Sequence, residues 1–296
     1  MYKLLFLLFV SSVSVFGTIH AVVSILPQQT FVQAIGGDRV FVSLMVLPGD
    51  SPHTYEPKPS QMKAIAKADV YFAIEVEFEH TWLPKFQDLN PKMRTVSLSE
   101  GIEKYSISAS SSASFCTHEG HGHHGHEKHL SHEKSMQDPH IWTAPHNVKR
   151  IVQNIYEALI SLDPKHTAYY KKNLERYLQT IEDTDTQIKA LLSTLKESRT
   201  FMVFHPSWGY FAREYHLTQL SVEVEGKSPK PKALIALIKQ AKKHKVKALF
   251  SQTEFSDASA KIIAKEVGIP VIKVSPLAEN WAENLISIAE AIAGKK

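Results

Sequence analysis

The sequence has one cysteine, little net charge and no long apolar run beyond its first residues, and each shortage excludes a class of protein. Cys116 is the only cysteine among 296 residues, so no internal disulfide can hold this fold. The formal net charge is +4, which is too small to imply nucleic acid as a partner. No segment after the N-terminal region has the roughly 20 apolar residues that a membrane-spanning helix needs. With 43% hydrophobic residues, the chain can still build large cores.

The first 17 residues have the pattern of a secretory signal peptide. Lys3 precedes an apolar run at 4–10, and small residues follow up to Gly17, where we expect cleavage. No cysteine follows the run to serve as the attachment residue of a lipid anchor. We therefore expect an exported, soluble protein of the periplasm.

Short apolar runs alternate with stretches of helical periodicity on both sides of one long helical pattern. Strands are predicted at 20–26, 40–47, 69–74, 94–98, 200–204, 218–224, 247–251 and 270–274, with helices at 60–68 and 146–161 and after Pro206, Pro231, Ser256 and Asn280. Such alternation is typical of parallel α/β packing. The pattern from 165 to 198 would form a helix about 50 Å long, which exceeds one small lobe.

These patterns predict an α/β fold of two lobes, each a mainly parallel sheet flanked by helices, joined by one long helix. The N-terminal lobe would span 18–164, the linking helix 165–198 and the C-terminal lobe 199–296. Within the first lobe, residues 105–136 have almost no apolar side chains, so we expect a mobile loop there.

This loop contains seven of the 16 histidines of the chain: His118, His121, His123, His124, His126, His129 and His132. Near neutral pH most imidazoles are unprotonated and can bind a metal. Ordering the loop costs roughly 1–2 kcal/mol for each residue that is fixed, so any site there is weak. We interpret the loop as an accessory metal-binding segment to which Cys116 could add a thiolate; a plain linker is the alternative.

Three isolated histidines are more informative than the loop. His53 follows a predicted strand in a proline-rich loop, His140 lies where ordered sequence resumes, and His205 directly follows another predicted strand. Ligands of open α/β sheets bind at the carboxyl ends of strands. The spacings of 87 and 65 residues exclude a local zinc finger, so only a cleft between lobes could unite the three.

An all-imidazole set favours zinc, whereas manganese prefers more carboxylate oxygen. Asp138 is a candidate to hold the His140 ring through its other nitrogen, and Glu56 to orient His53 or its loop. Three histidines and a water would also suit a zinc hydrolase, but the chain has no His-Glu-x-x-His element to supply a general base. A binding protein rather than an enzyme is therefore the preferred hypothesis.

Several segments together resemble the ZnuA-like zinc-binding solute-binding proteins of ABC metal importers. They are Pro-Gly-x-x-Pro-His-x-Tyr-Glu-Pro at 48–57, Asp-Pro-His-Ile-Trp at 138–142, Phe-His-Pro-x-Trp-Gly-Tyr-Phe at 204–211, Glu-Gly-Lys-x-Pro at 225–229 and Ser-Pro-Leu-Ala at 275–278. The resemblance covers nearly the whole chain after the signal peptide. It implies two lobes joined by a long helix, with His53, His140 and His205 as ligands of a transported Zn²⁺.

The resemblance also implies a membrane permease as partner, and we expect a monomer. A manganese- or iron-binding member of the same family is the alternative. The chain departs from its relatives at Ser275, where they often carry an aspartate. The fourth coordination position is left either to Glu279, four residues further on, or to water. The alternative for Glu279 is that it caps the helix expected to begin near Asn280.

Overall fold

The computed structural model describes residues 18–107, 137–195, 199–223, 229–252 and 258–295. The predicted signal peptide lies outside this set. Cys116 and the seven loop histidines from His118 to His132 also lie outside it, so the accessory loop stays a prediction. In the part of the chain that is described, no helix is long and apolar enough to cross a membrane.

Two four-stranded parallel sheets form the framework. The strands are β1 (Ile19–Val23), β2 (Val40–Leu44), β3 (Val70–Ala73), β4 (Arg94–Ser97), β5 (Thr200–Val203), β6 (Thr218–Ser221), β7 (Leu249–Ser251) and β8 (Val271–Lys273). The first sheet has the order β2-β1-β3-β4 and the second the order β6-β5-β7-β8. The central strands are almost continuously apolar and buried, as expected where helices cover both faces of a sheet. All eight predicted strands and the predicted fold class are confirmed.

Helices connect the strands and separate the two sheets. Those described are α1 (Leu26–Gly36), α2 (Pro59–Ile65), α3 (Glu77–Leu89), α4 (Pro145–Leu162), α5 (Thr167–Leu192), α6 (Gly209–Glu214), α7 (Pro231–Lys243), α8 (Ala258–Val267) and α9 (Trp281–Ile292). The sequence patterns did not predict α1 or α3. Only two residues separate β1 from α1, so the apolar residues of the helix continue the apolar run of the strand. Pro84 interrupts the helical pattern of α3, yet the helix accommodates it at an exposed position.

The long helix between the two sheets is shorter than predicted. Residues Pro164–His166 form a separate 3₁₀ turn, and α5 then runs from Thr167 to Leu192. Its 26 residues give a length of about 39 Å instead of the expected 50 Å. The division of the chain into lobes at residues 164 and 198 stays a prediction. It is based on the order of the sequence patterns along the chain and not on how the helices pack.

The last helix, α9, returns to the first half of the molecule and packs against α5. The buried Trp281 ring meets the Phe31 ring of α1 edge-on, with 5.8 Å between centroids. Its indole N–H donates to the carbonyl of Trp142 at 2.8 Å, and the Trp142 indole N–H donates to the carbonyl of Pro276 at 2.7 Å. Two tryptophans therefore tie the chain after β8 to residues that precede α4.

We expect Trp281→Ala to lower the free energy of unfolding by about 3–5 kcal/mol, because it leaves a large cavity between α9 and α1. Trp281→Phe should cost less and remove mainly the hydrogen bond to Trp142, which contributes about 1 kcal/mol. Urea unfolding of metal-free protein measures both. The control is Trp82→Ala on α3, where the ring is only half-buried; an equal loss at Trp82 would contradict the account.

Glu79 is a buried carboxyl group in the core of the first half. The backbone N–H groups of Ile74 and Glu75 donate to it, at 3.1 and 2.7 Å, and so does the hydroxyl of Ser24. Burial nevertheless dominates and raises the pKa of Glu79 from 4.5 to about 7. The folded protein therefore keeps a proton that the unfolded chain has lost at pH 6.

The free energy of unfolding should fall as the pH rises from 4.5 to 7, by up to about 3 kcal/mol from Glu79 alone. Glu79→Gln removes this titration. The difference in free energy of unfolding between the unmodified protein and the variant should therefore narrow by up to about 3 kcal/mol between pH 4.5 and 7. Urea unfolding of metal-free protein at several pH values measures the difference. A difference that is constant or grows with pH would contradict a raised pKa of Glu79.

Candidate metal centre

The structure brings His53, His140 and His205 together at one point. One ring nitrogen of each lies within 4.8 Å of a ring nitrogen of the other two. The ring centroids are 6.3 Å apart for His53 and His140, 4.9 Å for His53 and His205, and 5.4 Å for His140 and His205. In the described ranges, no other group of His, Cys, Asp or Glu has such geometry.

Each histidine comes from a different part of the fold. His53 lies in the loop between β2 and α2, and His205 follows β5 at the carboxyl end of the second sheet. His140 immediately precedes the 3₁₀ turn Ile141–Thr143 that leads into α4. Parallel strands align their carboxyl ends at one edge, so each sheet can present a loop histidine toward the other. His140 and His205 are buried, whereas His53 is half-buried at the mouth of the site.

A carboxylate holds the Nδ1 atom of every one of these rings. Nδ1 of His53 lies 3.0 Å from Glu77, that of His140 2.8 Å from Asp138, and that of His205 2.7 Å from Glu223. A carboxylate can only accept, so a neutral ring in this position carries its proton on Nδ1. The Nε2 lone pair is then available to a metal, and the orientation of the ring is fixed.

Of these three carboxylates, only Asp138 was predicted from the sequence as the partner of its histidine. The structure confirms that Asp138 contacts His140, but Glu77, not Glu56, contacts His53, and Glu56 is exposed. Glu77 is 24 residues from His53, so no local motif could reveal it. Glu223 was detectable in principle, because β5 and β6 pair in parallel with Val203 opposite Ser221, and two further residues bring His205 opposite Glu223.

The surroundings favour neutral imidazole at the deepest position. Burial lowers the pKa of His205, and the neighbouring His140 and His53 lower it further, against the opposing effect of Glu223. The hydrogen bond from His53 is the main reason that the pKa of Glu77 is lowered. Glu77 is therefore poised to stay charged while the His205 ring keeps a lone pair for a cation.

A cavity surrounds the three rings, and its walls come from both halves of the molecule. The other residues that line it are Ser51, Pro52, Val76, Glu77, Pro139, Trp142, Gln252, Pro276 and Leu277. Most of these side chains cannot coordinate a metal, so the imidazoles are the principal donors. The apolar walls limit the access of water, which strengthens electrostatic interactions inside the cavity.

The structure places Glu279 away from this cavity. Its side chain is exposed, and its backbone carbonyl accepts a hydrogen bond of 2.9 Å from the Thr30 hydroxyl of α1. The hydroxyl of Ser275 accepts a hydrogen bond of 3.0 Å from the backbone N–H of Leu277. Ser275 thus shapes the turn that brings Pro276 and Leu277 to the cavity wall. Glu279 has no support from this geometry as a fourth ligand.

The known proteins that this chain resembles are described as zinc-binding or zinc-uptake proteins. The family described as "Zinc-uptake complex component A periplasmic" matches residues 21–294. The "High-affinity zinc uptake system protein ZnuA" of Bacillus subtilis is 32% identical over 256 residues, which cover 84% of this chain and 76% of that protein. The "Zinc-binding protein AdcA" of Streptococcus pyogenes serotype M3 is 27% identical over 273 residues, 88% of this chain and 51% of AdcA. The chain thus spans about half the length of the AdcA proteins that it matches.

A solved structure described as "Crystal structure of ZnuA" superposes with a TM-score of 0.81 at 38% sequence identity. The superposition covers 94% of this chain and 98% of that one. The match therefore includes both sheets and the helices between them. Because the family match extends over nearly the whole chain, this protein belongs to the family of periplasmic zinc-uptake complex components A.

Proposed function

We propose that this protein captures Zn²⁺ in the cavity between its two sheets, with His53, His140 and His205 as ligands through Nε2, and delivers it to an ABC-type membrane permease. The observation that carries the proposal is the convergence of three imidazoles, each with a carboxylate on Nδ1. That arrangement fixes all three rings before a metal arrives. The zinc-related names of the relatives support the same cargo.

The donor set favours zinc over manganese or iron. Imidazole nitrogen suits Zn²⁺ at about 2.0–2.1 Å, whereas Mn²⁺ prefers sites richer in oxygen. Three protein ligands leave one tetrahedral position for water or for a group that moves in on closure. An incomplete protein shell suits a cargo that has to be released, since fewer protein bonds need to break.

Three histidines around an open position also resemble a catalytic zinc site, but we infer that the chain is not an enzyme. A hydrolase needs a general base beside the metal-bound water. Glu77, Asp138 and Glu223 each engage an imidazole Nδ1 instead. Membership of a transport family supports the binding role.

The proposed location follows from the proposed route of zinc. We infer that the protein works as a monomer in the periplasm, after removal of residues 1–17, and meets its permease at the membrane. The histidines of the predicted loop 105–136 would act as weaker accessory sites.

Zinc titration tests the proposed ligands. Metal-free protein should bind one zinc tightly, and the His53→Ala, His140→Ala, His205→Ala triple variant should lose that tight site while any weaker loop sites remain. The matched control replaces the exposed His80, His146 and His244 by Ala and should keep the tight site. Isothermal titration against a competing chelator measures both. Tight binding in the triple variant of the proposed ligands would overturn the assignment.

Glu223 tests the orienting carboxylates separately. Glu223→Ala should weaken zinc binding by about 10–100-fold, because the His205 ring loses the group that fixes its proton and orientation. Glu223→Gln should have a smaller effect, since an amide oxygen can still accept from Nδ1. Zinc affinities measured by chelator competition should decrease from the unmodified protein to Glu223→Gln and further to Glu223→Ala. Replacing the exposed Glu266 by Gln is the control, and an unchanged affinity in Glu223→Ala would contradict the orienting role.

A further inference from the structure

The outer surface of the second half of the molecule is strongly basic. Residues 229–273 contain ten lysines, no arginine and only three acidic residues, Glu254, Asp257 and Glu266. Residues 18–107, which contain the first sheet, have eight basic and ten acidic residues. The positive charge of the chain is therefore concentrated beside one of its two sheets.

Helices α7 and α8 carry much of this charge on their exposed sides. Lys232, Lys239, Lys242 and Lys243 are exposed on α7, and Lys261 and Lys265 on α8. On α7 the spacing of three, four and seven residues aligns these lysines along one side of the helix. We call these six lysines, together with the exposed Ile235 and Ile262, the lysine face.

The opposite sides of α7 and α8 are fixed by the core. Leu237 and Ala241 of α7 and Ile263 of α8 pack into one apolar cluster with residues of the second sheet, such as Met202 and Leu249. The two helices also contact each other. The lysine face is thus a rigid outer surface held by two adjacent helices, neither of which contributes a residue to the metal cavity.

Among the residues that the structure describes, carboxylates do not pair with the lysines of this face. Across the described parts of the chain, no ion pair joins any of its six lysines to a carboxylate. Glu266 is the one acidic residue of α8 that is described, and it lies beside Lys265. Unpaired lysines close together repel each other, and an anionic surface would relieve that repulsion.

Two apolar side chains extend from the same face. Ile235 is 61% exposed and Ile262 is 60% exposed, more than any other large apolar side chain for which exposure is described. Ile235 lies three residues after Lys232 and four before Lys239, so lysines flank it on the helix surface. Exposed aliphatic groups among lysines are typical of surfaces that lie on lipid headgroups.

The composition of the face favours lipid over protein as its partner. Protein interfaces are enriched in arginine, tyrosine and tryptophan and depleted of lysine. Residues 229–273 contain none of the three enriched types. Clustered lysines, by contrast, bind anionic headgroups without needing a defined geometry, and each contributes about a fivefold gain in affinity near the surface.

We propose that the lysine face of α7 and α8 binds the anionic headgroups of a phospholipid bilayer. The binding holds the protein at the membrane surface and does not involve the metal centre. A protein that searches for a permease along a membrane would find it faster than one that diffuses through the whole compartment. The interaction is electrostatic in the main, so it weakens as salt shortens the Debye length to about 10 Å at 0.1 M.

Vesicle flotation tests the proposal with purified protein. Vesicles of equal parts phosphatidylglycerol and phosphatidylcholine should bind the protein at low ionic strength, and vesicles of phosphatidylcholine alone should bind it at least about tenfold more weakly. Replacing Lys232, Lys239, Lys242 and Lys243 by Gln should lower partitioning onto the anionic vesicles by at least about tenfold. Ile235→Gln should lower it several-fold.

The matched control replaces four exposed lysines elsewhere, Lys63, Lys67, Lys171 and Lys172, by Gln. It changes the net charge equally and should retain most of the binding. Equal losses in the two variants, or no preference for anionic vesicles, would overturn the proposal. If instead only binding to the reconstituted permease falls in the α7 variant, the face is a protein interface and the lipid proposal is wrong.

Zinc affinity separates this proposal from the proposed function. The α7 variant should bind zinc like the unmodified protein, and the triple variant of His53, His140 and His205 should still bind anionic vesicles. Loss of zinc binding by that triple variant with unchanged vesicle binding therefore supports both proposals independently. Vesicle binding that requires the three histidines would overturn the separation of the two sites.

Discussion

The hydrogen bond between an imidazole Nδ1 and a carboxylate is the interaction on which the site depends. It occurs three times, at His53, His140 and His205. Each time the carboxylate belongs to a residue that lies near the end of a strand or beside a turn. Without these bonds the rings could rotate or carry their proton on the wrong nitrogen. With them, three lone pairs converge, and metal binding does not have to offset the full cost of ordering the ligands.

The fold supplies these pairs through the geometry of parallel sheets. Neighbouring strands end at the same edge, so His205 after β5 and Glu223 after β6 meet although 18 residues separate them. His140 belongs to neither sheet and is placed by the turn before α4. The indole of the adjacent Trp142 donates to Pro276, which connects that turn to the cavity wall of the second half. The site is consequently assembled from three segments that only the complete fold unites.

Much of this fold follows from local sequence signals. The eight strands are apolar runs bounded by polar residues, and they were predicted because burial on both faces leaves that pattern. Helices α1 and α3 escaped prediction because local signals conflicted: α1 continues an apolar run directly from β1, and α3 contains Pro84. The long helix α5 was overestimated mainly at its end, since Leu195 continues the apolar spacing of the helix beyond its last residue, Leu192.

The site was predictable only in part, for a different physical reason. The three histidines stood out because they follow strands or turns in motifs that resemble a known family. Their partners Glu77 and Glu223 are distant in sequence. The Glu223 contact depends on strand register and the Glu77 contact on how the loop after β2 meets the start of α3, and periodicity determines neither. Glu279 shows how little closeness in sequence decides: it is four residues from Ser275, yet it does not line the cavity, and its backbone carbonyl contacts Thr30 of α1.

The central claim is that three imidazoles bind zinc through Nε2 between the two sheets. Anomalous diffraction at the zinc absorption edge, from crystals grown with one equivalent of zinc, tests it most directly. We expect one strong peak about 2.0–2.1 Å from Nε2 of each of His53, His140 and His205. A principal peak bound by carboxylates elsewhere, or by Nδ1 atoms in place of Nε2, would contradict it.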